Sequence, residues 1–387
     1  MDLDLKNLSD EFFMKIAVKE GYKGLGWTSP NPPVGAILVD PLTKKIIAKG
    51  HHKKFGYPHA EVEAINKAKE KAKEKAKGSI LYVTLEPCSH YGKTPPCTEK
   101  IIEAGISKVV CGIRDPNPIA KGGLEYLKSK GIEVKVGVLE REVKILTRFF
   151  LSHILRKRPW VIMKVASSLD GRIAVSTGES KWITGEKARK YTHKLRHICD
   201  AILVGKNTIL KDNPDLTCRL VKGKNPLRIV LDTYLSLEPN LKIFEVNKNE
   251  KTIIVCGEKA DLQKEKILKD RGIEVWRLPL EKEKIDLNAL LEKCNENNIC
   301  SILVEGGGKV HGSFLEKNLV DEIFYMIGPV IIGDREGTLA VEREPLKSLK
   351  EALFLKNLEV KKLGDSFLFH CFTNEGLKLL NTPLKFL

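Results

Sequence analysis

The stretches PHAEVEAINKAKE (58–70) and SILYVTLEPCSHYGKTPPCTEKIIEAG (79–105) decide the fold of the first half of the chain. The first stretch predicts a helix that begins close to His59 and Glu61. The second predicts a buried apolar strand, a loop with a cysteine at each end, and another helix. Because strands and helices alternate in this way, the pattern indicates an α/β domain with a mostly parallel sheet.

One histidine and two cysteines in these stretches predict a zinc site. A hydrolytic zinc site needs three protein ligands and an open position for water, and His59, Cys88 and Cys97 could supply the three. Glu61 follows the histidine by two residues, where its carboxylate can move protons without binding the metal. The eight residues between the cysteines place them on a loop and not on one helical turn. A closed structural site with His90 as a fourth ligand is the alternative.

Composition limits the class of protein. With 387 residues, 42% hydrophobic and 30% charged, the chain is long enough for two domains, each with its own core. It has no run of about 18 apolar residues and an acidic start, MDLDLKNLSDEFF (1–13), so we expect neither a membrane span nor a secretion signal, and a cytoplasmic location. The net charge of +16 is divided evenly between 1–150 and 151–387, which suits a phosphorylated small substrate better than a nucleic acid.

The segment KILTRFFLSHILRKRPW (144–160) predicts the connection between two domains, an amphipathic helix followed by a basic stretch. We expect a zinc-dependent domain at 1–146, a linker at 147–159 and a second domain at 160–387. The second half again alternates apolar strands with helices, so it too is expected to be α/β. It shows no self-similarity to the first half.

Longer motifs make the chain resemble the bifunctional riboflavin-biosynthesis deaminase–reductase family from about residue 10 to 370. The motifs are TSPNPPVGAILVD (28–40), PHAEVEAI (58–65), YVTLEPCSHYGKTPPCTEKIIEAGI (82–106), RDPNP (114–118), KVASSLDGRIA (164–174), TGESKWITG (177–185), DNPDLTCRL (212–220), RIVLDT (228–233) and VEGGGKVHGSF (304–314). The eight-residue cysteine spacing is that family's own. The resemblance implies a cytidine-deaminase-like α/β/α domain followed by a dihydrofolate-reductase-like α/β domain.

For the first site, the resemblance implies hydrolysis of the 2-amino group of a diaminopyrimidinone that carries a ribosylamino 5′-phosphate. One zinc ion per chain would activate the water, and Glu61 would carry the proton. By the same resemblance, Asn31 holds the pyrimidine edge, while His52 and Lys93 contact the substrate, with Lys93 a candidate for the phosphate. A turn residue for Asn31 and a solvated loop lysine for Lys93 are the simpler interpretations.

For the second site, the Gly triplet between a strand and a helix could bind an anion through backbone N–H groups, although a plain tight turn explains it equally well. The resemblance implies NADPH and reduction of the ribosyl group to a ribityl chain. The choice of NADPH over NADH rests on the resemblance alone. The implied cofactor contacts are Ala166, Trp182, Thr208, Asp212, Thr233, Gly307, Gly308, Lys309, Val310, His311, Gly312 and Ser313. The implied substrate contacts are Lys164, Ser180, Arg196, Leu216, Arg219 and Glu305, of which the lysine and the arginines suit a phosphate.

Two other functions compete with this reading. A nucleic-acid base deaminase would share the zinc motif, but it leaves the second half unexplained and would favour a basic stripe that the sequence lacks. A binding module held together by zinc would need no open position on the metal. We therefore expect an enzyme with a phosphorylated small-molecule substrate, no nucleic-acid or membrane partner, and a homo-oligomeric assembly, as the resemblance implies.

Overall fold

The computed structural model describes residues 9–71, 76–91, 95–245 and 251–384. The chain forms two compact units, one of described residues up to 157 together with 380–384, the other of residues 158–379. Both are α/β, which confirms the predicted class. Among the described residues, no helix is both long enough and apolar enough to cross a membrane.

The first unit is built on a five-stranded sheet with the order β2-β1-β3-β4-β5. Its strands are β1 (Gly35–Val39), β2 (Ile46–His51), β3 (Ile80–Leu85), β4 (Lys108–Ile113) and β5 (Glu133–Val136). The ladders from β3 to β5 are parallel, but β1 runs antiparallel to both β2 and β3. The expectation of a mostly parallel sheet is therefore wrong for half of the ladders. A tight turn, in which Lys44 N–H donates to Asp40 O (3.0 Å), reverses the chain between β1 and β2.

Five helices belong to this unit: α1 (Asp10–Gly21), α2 (Ala60–Lys71), α3 (Cys97–Glu103), α4 (Gly123–Ser129) and α5 (Glu140–Arg156). Ser9 caps α1 by accepting from the N–H of Phe12 (3.3 Å). The helices α2 and α3 each begin at or beside a predicted zinc ligand. Residues 147–156 of the expected linker lie in α5, which is one continuous helix of the first unit.

The last described segment of the chain, 380–384, returns to the first unit. Lys144, a nearly buried residue of α5, donates from Nζ to the carbonyl of Thr382 (2.7 Å) and also pairs with Glu140 (2.7 Å). Leu380 and Leu384 are buried. The first unit is thus assembled from two separate parts of the sequence.

The second unit contains a nine-stranded sheet with the order β11-β10-β9-β8-β14-β6-β15-β18-β17. The strands of this unit are β6 (Trp160–Ser167), β7 (Arg172–Ala174), β8 (Ala201–Gly205), β9 (Leu227–Leu231), β10 (Thr252–Gly257), β11 (Glu274–Leu278), β12 (Leu280–Glu281), β13 (Lys284–Ile285), β14 (Ser301–Val304), β15 (Glu322–Ile327), β16 (Thr338–Leu339), β17 (Glu359–Leu363) and β18 (Ser366–Phe372). In this sheet order, each pair of neighbouring strands from β11 through β6 to β15 is parallel. The last two pairs, β15 with β18 and β18 with β17, are antiparallel.

The helices that follow are α6 (Glu186–Ile198), α7 (Lys206–Asp212), α8 (Leu262–Asp270), α9 (Leu287–Glu296), α10 (Gly308–Glu316) and α11 (Asn374–Asn381). Two buried apolar clusters contain alternate residues of the same strands: Leu203 belongs to one, Ile202 and Val204 to the other. Because both faces of these strands are buried, their sequences are continuous apolar runs. In parallel sheets, ligands bind beyond the carboxyl ends of the strands, and here β8, β14 and β6 are neighbours at the centre.

Candidate active sites

The three predicted zinc ligands come together in the first unit. His59 directly precedes α2, Cys88 follows β3, and Cys97 is the first residue of α3. Their ligand atoms all lie within 4.8 Å of one another, with His59 Nδ1 3.1 Å from Cys97 Sγ and 3.7 Å from Cys88 Sγ. One imidazole and two sulfurs at this spacing suit a tetrahedral zinc ion with one position left for water. His90 is exposed and is not part of the cluster.

The Cys88 thiol and the Glu61 carboxyl of this region both have strongly shifted pKa values. Hydrogen bonds from Cys97 and His59 lower the pKa of Cys88 to about 4, so its sulfur is readily a thiolate, the form that binds zinc. Glu61 is 3% exposed, and burial raises the pKa of its carboxyl to about 7. Such a carboxyl can both accept and donate a proton near neutral pH, as a general acid and base must.

Glu86 fixes the loop that carries Cys88, and the sequence analysis missed it. Its buried carboxylate accepts hydrogen bonds from the backbone N–H groups of Asp115 (3.0 Å), Gly122 (2.9 Å) and Leu124 (3.2 Å). The segment after β4 is thereby tied to the residues just before the metal ligand. An acidic residue at the end of an otherwise apolar strand was the signal that could have revealed it.

Asn31, expected at the pyrimidine edge, and His52, expected to contact the substrate, lie next to each other. The amide of Asn31 donates from Nδ2 to His52 Nε2 (3.5 Å), while His52 Nδ1 donates to the carbonyl of Pro58 (3.1 Å). The His52 ring meets the His59 ring edge to face, with centroids 5.5 Å apart. Burial lowers the pKa of His52, which keeps the ring neutral. Lys93 lies outside the described residues.

The second unit contains a cavity of about 750 Å³ at the carboxyl ends of β6, β8 and β14. That volume is in the range of small-molecule and cofactor sites. Its lining includes most of the residues expected to meet the cofactor or the substrate of a reductase. These are Lys164, Ala166, Ser180, Arg196, Thr208, Asp212, Leu216, Glu305, Gly307, Gly308, Lys309, Val310 and His311.

A network of charges lies in the wall of this cavity. Arg196 donates from Nε and Nη2 to the two carboxylate oxygens of Glu305 (2.7 and 2.9 Å). Burial alone would raise the pKa of Glu305, but the charges of Arg196 and Lys164 lower it to about 2. Arg196 was expected to bind phosphate, but the guanidinium edge formed by its Nε and Nη2 atoms is already hydrogen-bonded to Glu305. Lys164 Nζ lies 3.6 Å from Glu305, beyond hydrogen-bond distance, and keeps donors for a ligand.

The Gly triplet at the start of α10 allows close approach of backbone. A Cβ on Gly308 would lie 2.3 Å from the carbonyl oxygen of Leu339, and one on Gly306 would lie 2.6 Å from Val204 Cα. His311, 2% exposed, donates from Nδ1 to Ala340 O (2.9 Å), and its Nε2 has no partner among the described residues. A helix N-terminus that lines the cavity, beside a buried acceptor without a partner among the described residues, fits a cofactor that carries phosphate and polar N–H or O–H groups.

Other expected contacts do not line the cavity within the described residues. Trp182 is 74% exposed, has φ of 70°, and stacks its ring under the guanidinium of Arg189 (4.2 Å). Arg219 is largely exposed and pairs with Asp215 (3.5 Å). The other expected contacts that do not line the cavity are Thr233, Gly312 and Ser313.

Two further side chains of this region escaped the sequence analysis. Arg172 lines the cavity, and its buried Nε has no partner among the described residues. His193, on α6, is 4% exposed and accepts backbone hydrogen bonds at Nδ1. A lone arginine or histidine carries no spacing signal, so the sequence alone could not single these residues out.

Comparison with protein families finds two matches. A family described as the RibD C-terminal domain matches residues 159–369, and the cytidine and deoxycytidylate deaminase zinc-binding region matches residues 8–113. The second match contains the zinc-type cluster, and the first contains the cavity.

Individual proteins match over nearly the whole chain. The riboflavin biosynthesis protein RibD of Aquifex aeolicus is 42% identical over 358 residues, covering 92% of this chain and 96% of the relative. RibD of Bacillus amyloliquefaciens is 40% identical over 372 residues, covering 95% and 97%. A crystal structure of a diaminohydroxyphosphoribosylaminopyrimidine deaminase/5-amino-6-(5-phosphoribosylamino)uracil reductase from Thermotoga maritima has a TM-score of 0.83 at 42% identity, covering 94% and 98%.

Proposed function

Because the chain belongs to the RibD family of bifunctional riboflavin-biosynthesis deaminase–reductases, we propose that its two sites catalyse consecutive steps. The first removes the 2-amino group of the diaminopyrimidinone ribosylamino 5′-phosphate. The second reduces the ribosyl chain of the product to ribityl. The observation that carries the proposal is the cluster of His59, Cys88 and Cys97 beside the buried Glu61, in a chain that matches its relatives from end to end.

In the first site, His59, Cys88 and Cys97 would hold a zinc ion, which would supply an acidified water at neutral pH. Glu61 would carry two protons in turn, one from that water to the ring nitrogen and one from the hydroxyl so formed to the departing amine. Asn31 presents an amide to the pyrimidine edge, and the neutral His52 orients that amide through its Nε2 atom. Lys93 is the proposed partner of the phosphate.

In the second site, bound NADPH would supply a hydride to the sugar carbon bonded to nitrogen, whose bond to the ring oxygen breaks as that oxygen takes up a proton. The backbone at Gly307 and Gly308 binds the cofactor phosphates, and Thr208, whose Oγ1 faces Gly307, lies on the same side of the cavity. Lys164 offers its ammonium group to the substrate phosphate. Glu305 holds Arg196 in place through two hydrogen bonds, and its negative charge opposes the lowering of the Lys164 pKa by burial.

The remaining proposed contacts complete the two ligand sites. For the cofactor they are Ala166, Trp182, Asp212, Thr233, Lys309, Val310, His311, Gly312 and Ser313. For the substrate they are Ser180, Arg196, Leu216, Arg219 and Glu305. Ser180, which donates to Asp212 (3.1 Å), connects the two groups.

We assign deamination to residues 1–146 and reduction to residues 160–387, joined by 147–159. The division between the two compact units after residue 157 supports this order of domains. A homo-oligomeric assembly is proposed from the family resemblance. A cytoplasmic location is supported by the cysteines, since none of the nine, all of which lie within the described residues, forms a disulfide.

The test follows ammonia release and NADPH oxidation separately, with the purified zinc-loaded protein and the diaminopyrimidinone substrate. We expect ammonia first and NADPH oxidation only after it. Glu61→Gln should lower ammonia release by about 100-fold or more, since the general acid and base is lost. The same variant should still oxidise NADPH when given the deaminated intermediate.

Ammonia release without any NADPH oxidation would contradict the assignment of the second site. Absence of both signals in the unaltered, zinc-loaded protein would overturn the proposal and make an RNA or DNA substrate the next test. A structural zinc site predicts the same zinc content with no ammonia release at all.

A further inference from the structure

One turn of helix α6 lies against the segment 217–220, which directly follows Leu216. His193 Nδ1 accepts hydrogen bonds from the backbone N–H groups of Arg219 (3.0 Å) and Leu220 (3.4 Å). The carbonyl of the same histidine accepts from Cys218 Sγ (3.4 Å). One residue of the helix thus makes three hydrogen bonds to three successive residues of the segment.

A second residue of the same turn contacts the start of this segment. Arg196 donates from Nη1 to the carbonyl of Thr217 (3.0 Å), while its other edge pairs with Glu305 in the cavity wall. The backbone from 217 to 220 is therefore fixed to α6 at one end by Arg196 and at the other by His193. Leu216, which lines the cavity, comes directly before this segment.

The imidazole of His193 is suited to act as an acceptor. It is 4% exposed, and burial together with the positive charges of Arg196 and Arg219 lowers its pKa to about 4. Lys164 acts in the same direction and Glu305 opposes it. The ring is neutral at ordinary pH, so Nδ1 carries a lone pair and can accept from a backbone N–H.

We propose that His193 is a positioning residue of the reductase site, which fixes the backbone at 217–220 so that Leu216 and Arg219 meet the substrate. The inference rests on the proposed function, since that function assigns these two residues to the substrate. His193 itself touches no ligand. It acts through the segment that it holds, so its loss should affect substrate binding more than the chemical step or the cofactor.

The test compares two substitutions at one position with a matched control. His193→Leu removes the acceptor, whereas His193→Asn keeps an oxygen near the place of Nδ1. His197→Leu is the control, because His197 lies one turn further along α6 and accepts at Nδ1 from Lys224 N–H (3.1 Å), away from the proposed contacts. Each variant is assayed for NADPH oxidation with the deaminated intermediate, and ammonia release by the same sample checks folding and zinc loading.

We expect His193→Leu to raise KM for the deaminated intermediate about tenfold, as loss of a hydrogen bond to a fixed acceptor predicts. The kcat and the KM for NADPH should change by less than about threefold, and His193→Asn should restore most of the loss. His197→Leu should leave KM nearly unchanged. An unchanged KM in His193→Leu, or equal impairment in His193→Asn, would overturn the proposal.

Amide hydrogen exchange tests the same contact without any substrate. His193→Leu should speed exchange at Arg219 and Leu220, and His193→Asn should not. Unaltered exchange in His193→Leu would show that the histidine does not fix this segment. Failure of the proposed function would appear differently, as absence of NADPH oxidation in the unaltered protein. Arg219→Gln separates the two further: if it leaves KM unchanged, the substrate assignment is wrong even where the exchange data hold.

Discussion

The zinc-type cluster of the first unit and the cavity of the second are built in different ways. The cluster places three ligand atoms within 4.8 Å, supplied by the beginnings of two helices and the end of one strand. The cavity, about 750 Å³, is lined by residues from Lys164 to Glu342 and contains charges that already neutralise one another. The first arrangement is a compact set of three ligand atoms, while the second spreads its polar contacts over many residues and keeps His311 Nε2 and Arg172 Nε without a partner among the described residues.

This difference predicts different responses to substitution. A metal site with three ligands loses its function when one is removed, since no other donor can replace it. A cavity that shares its contacts among many residues should weaken by degrees, except where a substitution leaves buried charges unpaired. The following substitutions test that contrast.

Cys88→Ala should have the largest effect and separate the two sites. Loss of a ligand should weaken zinc binding by more than about 100-fold. Loss of a residue that merely hydrogen-bonds to a zinc ligand already lowers metal affinity by about ten- to a hundredfold. Zinc content measured by mass spectrometry should fall from one ion per chain to almost none, and ammonia release should disappear. NADPH oxidation with the deaminated intermediate should persist.

Cys111→Ala is the matched control, because Cys111 is a buried thiol of β4 in the same unit that donates to Ile113 O. It should keep its zinc. Loss of NADPH oxidation in Cys88→Ala, with Cys111→Ala intact, would refute the independence of the two sites.

Glu305→Gln should come next, with an effect on stability. It leaves Arg196 and Lys164 buried without their counter-charge, so the free energy of unfolding of the second unit should fall by about 3 kcal/mol. Urea unfolding followed by tryptophan fluorescence measures this, since Trp160 and Trp276 are buried in that unit. Glu186→Gln, which removes an exposed pair with Lys190, should change little.

The pH dependence of this pair has a definite sign. The pKa of Glu305 is lowered from 4.5 to about 2, so its contribution to stability is complete above the ordinary value and is lost as the pH falls through about 2. The difference between the unaltered protein and Glu305→Gln should therefore shrink below pH about 4.5. A constant difference down to pH about 2 would contradict the assigned ion pair.

Glu86→Gln should have the smallest effect of the three and test how the cluster is supported. The Glu86 carboxylate accepts from three backbone N–H groups, whereas the NH2 group of a glutamine can only donate. Some of these hydrogen bonds should therefore be lost, and the backbone before Cys88 should become less rigid. Zinc affinity should fall by about tenfold, as for other partners of zinc ligands, and ammonia release with it. Glu99→Gln, which loses a hydrogen bond from Tyr126 in the same unit, should retain its zinc affinity.

The same contrast explains how far the sequence could predict the molecule. The α/β class of both units followed from alternating apolar strands and helices, and the cluster of His59, Cys88 and Cys97 followed from one histidine and two cysteines in motifs that rarely occur together. The direction of β1 did not follow, since a strand's neighbours depend on pairing between distant segments. Arg172 and His193 were missed because each acts through backbone or cavity geometry that leaves no pattern in the sequence, whereas its place at the end of an apolar strand could have revealed Glu86. Trp182 and Arg219 were expected at the second site from resemblance, and here they lie outside its lining.

The return of the chain to the first unit has a consequence for synthesis. Thr382, which accepts the hydrogen bond from Lys144, leaves the ribosome only after residues 158–379 have been made. Until then Lys144, nearly buried in the finished unit, lacks that acceptor, and Leu384 has not yet joined the core. The amino-terminal unit is thus the first to be started and the last to be completed, so a gene cut between the two units would yield an amino-terminal fragment that lacks part of its own fold.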